Sequence, residues 1–258
     1  MMKWFTNLFK NNKKEVVVSE PLGPQITSDM HAHFLPNIDD GAQSLEESID
    51  IIKGLVDMGY KNLVATPHVM SDFYKNTPEI ILEKLALVQA EVDKQNINVN
   101  LSAAAEYYLD DGFLKKLKSN EPLLTFGDNY ILLETSFINS CFFIDEVIFL
   151  CISKGYKPII AHPERYTYTY GNYDEIKRWK SLGALLQVNA LSLAGYYSSK
   201  AKEIAQNLIN DQLVDFIGSD CHKAKHLNWL KKVRTLSYYN KALGLPLQNN
   251  LIIKVPQK

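Results

Sequence analysis

Seven short apolar runs alternate with amphipathic helical patterns along most of the chain. Most of these runs lack the strict in–out alternation of a strand with one face in solvent, which is typical of strands covered on both faces. Such strands belong to parallel sheets in which each strand is followed by a helix. The predicted strands lie near residues 26–30, 62–66, 99–104, 130–134, 158–161, 184–188 and 214–218.

Capping residues mark several helices between these strands. Ser44 and Glu47 form a capping-box signature, and Gly59 ends the helix that they open. Thr77 followed by Pro78 predicts the start of a second helix. Seven strand-then-helix units favour an α/β fold with barrel-like closure. The helical patterns cover residues 44–58, 77–94, 143–154, 173–182 and 198–210, with a further one after residue 226.

The bulk properties narrow the class of protein. The 258 residues contain no internal repeat and no convincing linker after residue 25, so we expect one domain over residues 26–258. A formal charge of -1 provides no overall attraction for nucleic acid, and we expect no such partner. The three cysteines lack C-x-x-C spacing, which fits a reducing compartment and a cytoplasmic location.

The first 25 residues have a different character from the rest. They contain lysines and the aromatic residues Trp4, Phe5 and Phe9, but no apolar stretch of about 7–15 residues typical of a secretory signal. Two interpretations remain. The segment is either a flexible leader, which we prefer, or an amphipathic turn that gives weak peripheral contact with the inner membrane surface.

Five of the six histidines lie at or just after the end of a predicted strand. Functional side chains of parallel β/α folds collect at these carboxyl ends. In H-x-H and D-x-H, two residues that are two positions apart on extended backbone point to the same side. The pattern therefore predicts a metal site rather than scattered structural histidines. The candidates are His31, His33, His68, His162 and His222, with Asp220 two residues before the last.

Two further carboxylates complete the set. Asp40 is the preferred ligand in the loop after the first histidine pair, whereas Asp39 is expected to stabilise the turn or the next helix start. Glu106 ends an apolar run, so it is either a bridging ligand or a solvated strand end. Eight ligands exceed the needs of one ion, and two or three divalent ions would use them. Mixed imidazole and carboxylate ligands suit zinc, manganese or iron.

Arg165 adds a cation three residues after His162. Its planar fork can bind a phosphate bidentately, or it can form a structural ion pair with Glu164 or another carboxylate. Clustered divalent ions polarise a phosphoryl oxygen and lower the pKa of bound water. The residues therefore predict a metal-dependent phosphoester hydrolase. The sequence contains no C-x5-R, G-x-S-x-G or Walker A motif.

The ordered strings DMHAHFLPNIDDGA, ATPH, AAAEYYL, AHPERY and GSDCH resemble the polymerase-and-histidinol-phosphatase (PHP) superfamily. Over about residues 26–230, the chain is most similar to the bacterial tyrosine-protein phosphatases of capsule and exopolysaccharide clusters. The resemblance implies a distorted (β/α)7 TIM-like barrel of the PHP type and a multinuclear site, often with manganese. It also implies dephosphorylation of tyrosines in the tail of a membrane-associated tyrosine autokinase.

The resemblance also assigns residues. It implies metal ligation by His31, His33, Asp40, His68, Glu106, His162, Asp220 and His222, phosphate binding by Arg165, and catalytic roles for Arg165, Asp40 and His68.

One departure affects the phosphate site. Many relatives carry a second arginine soon after the final D-x-H, where this chain has Lys223. We expect Lys223 to contact phosphate as a point charge without the bidentate fork. A small-molecule phosphatase similar to histidinol phosphatases is the alternative activity. Six tyrosines predicted at the rim either stack on a substrate ring or cap the barrel mouth: Tyr107, Tyr108, Tyr166, Tyr168, Tyr196 and Tyr197.

Overall fold

Parallel strands and helices alternate through residues 23–252, the part of the chain that the computed structural model describes. The strands are β1 (Ser28–Ala32), β2 (Asn62–Ala65), β3 (His68–Val69), β4 (Asn100–Ala103), β5 (Glu106–Tyr108), β6 (Tyr130–Glu134), β7 (Lys157–Ala161), β8 (Leu185–Asn189) and β9 (Phe216–Gly218). The α-helices are α1 (Leu45–Asp57), α2 (Pro78–Lys94), α3 (Asp111–Ser119), α4 (Ile144–Ser153), α5 (Asp174–Ser181), α6 (Ala190–Leu193), α7 (Ser199–Asn210), α8 (Ala224–Val233) and α9 (Ser237–Leu243).

The nine strands form seven staves of a closed barrel. Parallel pairing follows the orders β1-β2-β4 and β3-β5-β6-β7-β8-β9. A parallel bridge between Ala32 and Cys221 joins β1 to the chain just after β9 and closes the ring. The predicted α/β class and the distorted TIM-like barrel are confirmed.

The distortion lies in the second and third staves, which the sequence pattern predicts as single strands. Each is divided in two, β2 from β3 and β4 from β5. The backbone ladder continues across the first break, because Thr66 N donates to Ala32 O and Glu106 N donates to Pro67 O. Pro67 itself has no N–H to donate, so regular pairing cannot run through this position.

Alternate side chains of the strands enter two separate apolar clusters. On β6, Leu132 joins the cluster inside the barrel, together with Met30 and Phe216. Its neighbours Ile131 and Leu133 join the larger cluster between the strands and the surrounding helices. The strands are therefore covered on both faces, which explains why their sequences read as nearly continuous apolar runs.

The predicted helix starts at Ser44 and Thr77 are confirmed. The Ser44 side chain accepts a hydrogen bond from Glu47 N, and the Thr77 side chain accepts one from Ile80 N. The reciprocal bond of the capping box is shifted by one residue, since Glu47 Oε2 accepts from Gln43 N. Helices α3, α6 and α9 were not predicted because their short segments offer few periodic apolar positions.

The predicted leader, residues 1–25, lies outside the described residues except for positions 23–25. Within residues 23–252, no helix combines the length and apolar character needed to cross a bilayer.

Replacing Leu132 with alanine should lower the free energy of unfolding by about 2–5 kcal/mol, because its fully buried side chain fills the barrel interior. Leu87→Ala, at a 47% exposed position of α2, is the matched control and should change it by about 0.5 kcal/mol or less. Urea unfolding of both variants with chelator present measures the difference. Equal effects would contradict the assignment of Leu132 to a packed interior.

Candidate active site

The carboxyl ends of the strands bring together all eight ligand-type residues predicted from the sequence. Their donor atoms fall into four overlapping groups, in each of which the atoms lie within 4.8 Å of one another. The groups are His33, Asp40, His68 and His222; His31, His33 and Asp220; His31, Glu106 and His162; and His68, Glu106 and Glu134.

Glu106 lies at the centre of these groups. Its Oε2 atom lies 3.2 Å from His31 Nε2, 3.4 Å from His33 Nε2 and 3.1 Å from His68 Nδ1. Its Oε1 atom lies 3.1 Å from His162 Nε2. The glutamate is fully buried, so it is not the solvated strand end that the sequence left open.

Asp220 joins the histidines to the arginine. Its Oδ1 atom lies 3.4 Å from His31 Nε2 and 3.2 Å from His222 Nδ1. Its Oδ2 atom accepts a 2.7 Å hydrogen bond from Arg165 Nη1 and another of 2.7 Å from Asn189 Nδ2. The carboxylate thus spans the ligand-type cluster and its cationic edge.

Two site residues have left-handed backbone conformations within two residues of a strand end. The φ angle is 29° at His162, after β7, and 49° at Asp220, after β9. Residues with a Cβ adopt this region at a cost of about 1–3 kcal/mol each, and such residues concentrate at functional sites. The surrounding contacts, including those of Arg165 and Asn189 with Asp220, hold this conformation in place.

Asp40 and Asp39 occupy different positions, one facing the site and the other stabilising the turn behind it. Asp40 Oδ1 faces the site, 3.4 Å from His68 Nε2 and 3.3 Å from His222 Nε2, with 57% of its side chain exposed. Asp39 lies behind, where its Oδ2 accepts from His33 Nδ1 at 2.8 Å and its Oδ1 accepts from Gly41 N. A Cβ on Gly41 would lie 2.2 Å from His33 O, so the turn needs glycine there.

Sequence reasoning missed Glu134 and Gln187. Glu134 ends β6, and its carboxylate lies 3.6 Å from His68 Nδ1 and 3.7 Å from His162 Nε2. A glutamate closing an apolar run, like Glu106, was the available signal. Gln187 Oε1 accepts from His31 Nδ1 at 3.0 Å, which leaves His31 Nε2 facing the centre of the site. An amide inside the apolar run of β8 was its signal.

The cluster shifts the protonation of its members in opposite directions. Burial lowers the pKa of His31, but the carboxylates of Glu106 and Asp220 outweigh it and raise the pKa to about 9. Burial also lowers the pKa of His68, but the carboxylates of Glu106 and Asp40 outweigh it and raise the pKa to about 10. Burial and the charge of Arg165 lower the pKa of His162 to about 4.

Burial also raises the pKa of Glu134, to about 8, with the negative charge of Glu106 adding to the effect. For Asp40, partial burial raises the pKa, but hydrogen bonds from His222 and His68 outweigh it and hold the pKa well below its ordinary value. The carboxylates thus stabilise positive charge at the neighbouring imidazoles, which is the electrostatic condition that also favours bound cations.

The donor set fits divalent metal ions. Buried imidazoles and carboxylates converge on common points, and His68 Nδ1 illustrates this geometry. It lies 3.1 Å from Glu106 Oε2 yet has no hydrogen-bond partner among residues 23–252. Nitrogen and oxygen ligands in this mixture suit zinc, manganese or iron rather than calcium.

Arg165 forms the ion pair with Asp220, and Glu164 is not its partner. The Glu164 carboxylate is buried elsewhere, accepting hydrogen bonds from Ser192 Oγ and Asn189 N. The guanidinium carbon of Arg165 lies 4.6 Å from the centre of the Phe137 ring and 4.0 Å from that of Tyr197. The two rings and the aspartate fix the arginine at the edge of the cluster.

The site opens into a cavity of about 340 Å³. It is lined by Asp40, His68, Met70, Tyr108, Glu134, Ser136, Phe137, Ile138, His162, Arg165, Asp220 and His222. A neighbouring cavity of about 220 Å³ shares the arginine and contains Lys223. Its lining residues are Asp40, Arg165, Tyr196, Tyr197, Asp220, His222, Lys223, Lys225 and His226.

Only part of the predicted tyrosine rim lies at these cavities. Tyr108 lines the larger one, and Tyr196 and Tyr197 line the smaller. Tyr166 is fully buried and packs against Trp179, so its predicted place at the rim is wrong. The short helical turns after β7 direct it inward, which the sequence pattern does not reveal.

A family model described as capsular polysaccharide synthesis, CpsB/CapC, matches residues 27–258. The chain belongs to the CpsB/CapC family. Tyrosine-protein phosphatase YwqE of Bacillus subtilis (strain 168) is 30% identical over 202 residues, which cover 78% of this chain and 79% of YwqE. The putative tyrosine-protein phosphatase CapC of Staphylococcus aureus is 28% identical over 229 residues, covering 87% and 90% of the two chains.

The fold and the family agree. One solved structure matches this chain with a TM-score of 0.78. It comes from a description of YwqE from Bacillus subtilis and CpsB from Streptococcus pneumoniae as metal-dependent tyrosine phosphatases. The match has 28% sequence identity and covers 87% of this chain and 93% of the other.

The raised pKa values of His31 and His68 predict that cation binding is linked to proton release. Both histidines carry protons at pH 7.5, since their pKa values are about 9 and 10, whereas His162 is neutral. Because Glu134, with a pKa of about 8, is also largely protonated at this pH, binding of Mn²⁺ to metal-free protein should release at least two protons. The affinity should fall by about tenfold per pH unit for each of these protons on acidification. Calorimetry in two buffers of different ionisation enthalpy measures this release, and identical heats would contradict it.

Proposed function

We propose that this chain is a metal-dependent phosphatase that hydrolyses phosphotyrosine in proteins. The observation that carries the proposal is a guanidinium, Arg165, fixed at the edge of a buried imidazole and carboxylate cluster with an open cavity beside it. The tyrosine phosphatases named among its relatives supply the substrate class. A small-molecule phosphatase is the alternative outcome of the test.

We assign two or three divalent ions to the cluster, with manganese preferred and iron or zinc as alternatives. The proposed ligands are the eight predicted residues, joined by Glu134. When bound, such ions supply Lewis-acid polarisation of the phosphoryl group and a water of lowered pKa. The buried partners Asp39 and Gln187 support this assignment, because each fixes the orientation of a histidine.

Arg165 binds and orients the phosphate in this proposal. One edge of its guanidinium is held by Asp220. Among residues 23–252 this is its one hydrogen bond, which leaves other N–H groups to donate to phosphoryl oxygens. Its charge offsets the negative charge that develops as the ester bond breaks. Lys223 adds a point charge from the neighbouring cavity.

Asp40 and His68 complete the proposed catalytic set. Both line the larger cavity, and Asp40 is more than half exposed there. The Asp40 carboxylate accepts from His68 and His222, which holds it charged and fixed toward the cavity. We assign to Asp40 and His68 the orientation of the attacking water opposite the leaving oxygen.

The physiological substrate that we propose is the tail of a membrane-associated tyrosine autokinase that controls polysaccharide export. The resemblance found in the sequence and the description of the family as capsular polysaccharide synthesis support it. The proposed location is the cytoplasm, with the segment of residues 1–25 as a leader or a weak membrane contact.

Arg165→Ala should lower kcat for a phosphotyrosyl peptide by about 100-fold or more while the metal content stays unchanged, because the residue binds phosphate and not metal. Arg178→Ala is the matched control, since Arg178 pairs with Glu175 and Asp145 on the outer surface. Elemental analysis and steady-state kinetics measure the two effects. Metal loss in Arg165→Ala equal to the loss in His33→Ala would show that Arg165 is structural.

Chelation and thiol alkylation should have opposite effects. Chelator should abolish activity, and added Mn²⁺ should restore it. Iodoacetamide should leave activity unchanged, because burial raises the pKa of all three cysteines, that of Cys151 to about 12 and that of Cys221 further. Cys141, the least buried of the three, does not line the site cavity. Activity that survives complete metal removal, or that iodoacetamide abolishes, would refute the proposed mechanism.

A further inference from the structure

The larger cavity has one apolar side. Met70 follows β3, Tyr108 ends β5, and Phe137 and Ile138 follow β6, and all four line the cavity. Because β3, β5 and β6 are neighbours in the sheet, these side chains form one continuous sector of the mouth. The same strands also contribute the mostly buried His68 and Glu134 of the ligand-type cluster to the lining, together with Ser136. Arg165, Asp220 and His222 come from the staves beyond, β7 and β9.

The exposed apolar side chains in this sector are not explained by core packing. Ile138 is 72% exposed and Phe137 is 37% exposed. Neither belongs to the apolar clusters that hold the barrel together. Apolar side chains grouped at the mouth of a polar cavity mark a binding surface.

Phe137 also lies next to the proposed phosphate site. Its ring centre is 4.6 Å from the guanidinium carbon of Arg165 and 5.7 Å from the His162 ring, with an angle of 24° between the two ring planes. If Arg165 binds the phosphate of an ester, the organic group of that ester therefore lies beside the Phe137 ring. The cavity of about 340 Å³ lies in the size range of pockets that enclose small ligands.

We infer that Phe137 and Ile138, with Met70 and Tyr108, form a wall that receives the aromatic ring of the phosphotyrosine and selects aryl phosphates over alkyl phosphates. The inference rests on the proposed phosphatase function and adds the residues that determine its specificity. The wall buries the faces and edges of the ring, which an alkyl phosphate of serine cannot fill. Of the six tyrosines predicted at the rim, only Tyr108 belongs to it.

The decisive variant is Ile138→Ala. Ile138 lies outside the buried clusters, whereas the ring of Phe137 stacks on the guanidinium of Arg165 and its removal would also disturb the arginine. The matched control is Phe142→Ala, in the same loop, because Phe142 is 91% exposed and does not line the cavity. Ile138→Leu restores an apolar side chain of similar volume and should rescue the effect.

The experiment measures kcat/KM of the Mn²⁺-loaded enzyme for a phosphotyrosyl peptide and for the phosphoseryl peptide of otherwise identical sequence. The wild type should prefer the phosphotyrosyl peptide. Ile138→Ala and Phe137→Ala should reduce that preference by about tenfold, mostly through KM for the aryl substrate. Phe142→Ala and Ile138→Leu should keep it within about twofold.

Competitive inhibition by inorganic phosphate separates ring binding from phosphate binding. Its inhibition constant should stay within about twofold in Ile138→Ala, because phosphate has no ring. If inhibition weakens in parallel with the loss of peptide turnover, the residue acts through the phosphate site and the inference is wrong.

Different results refute the proposed substrate and the proposed wall. A wild type that hydrolyses histidinol phosphate or the phosphoseryl peptide as efficiently as the phosphotyrosyl peptide refutes the proposed substrate. A wild type that prefers phosphotyrosine, with the same preference in both wall variants, leaves the phosphatase intact and refutes the wall.

Discussion

Four imidazoles approach one buried carboxylate, that of Glu106, and much of the molecule is arranged around this contact. A charged group removed from water is costly unless partners surround it. No short segment of chain can supply four imidazoles to one point. A closed parallel barrel can, since the ends of β1, β3, β5 and β7 meet at one mouth. The barrel thus surrounds the buried Glu106 carboxylate with the partners that no short segment of the chain could supply.

Residues outside the cluster fix the orientation of its histidine rings. Gln187 and Asp39 each bind the nitrogen of a histidine that faces away from the centre. This leaves the opposite nitrogen directed inward, as a ligand to a cation requires. The left-handed backbone at His162 and Asp220 has a similar role, because it turns the chain within two residues of a strand end. The local strain is thereby tolerated where several contacts converge.

The parts of the site predictable from sequence are those with a fixed local geometry. His31 and His33 share a face because extended backbone has a period of two, and the same rule relates Asp220 to His222. The barrel class followed from apolar runs alternating with helical patterns. The division of the second stave into β2 and β3 could not be predicted in this way. It depends on how Pro67 interrupts pairing with the adjacent strands, which lie far away in the chain.

The missed residues needed three-dimensional information of a different kind. Glu134 closes an apolar run as Glu106 does, although Glu134 ends β6 and Glu106 begins β5. Only the barrel shows that both carboxylates reach His68. Loop residues carry no periodicity, so nothing local distinguished the cavity-lining Phe137 from the exposed Phe142.

The two sides of the mouth follow from the order of the staves. Neighbouring strands β3, β5 and β6 contribute apolar side chains beyond the ligand-type cluster, whereas β7 and β9 contribute the arginine and the aspartate that holds it. A phosphate monoester has the same polarity, with a dianionic end and an organic end joined by one oxygen. A cavity with charge on one side and apolar surface on the other fixes which way such an ester enters. Orientation of this kind, set before reaction, is one of the larger contributions that an enzyme makes to rate.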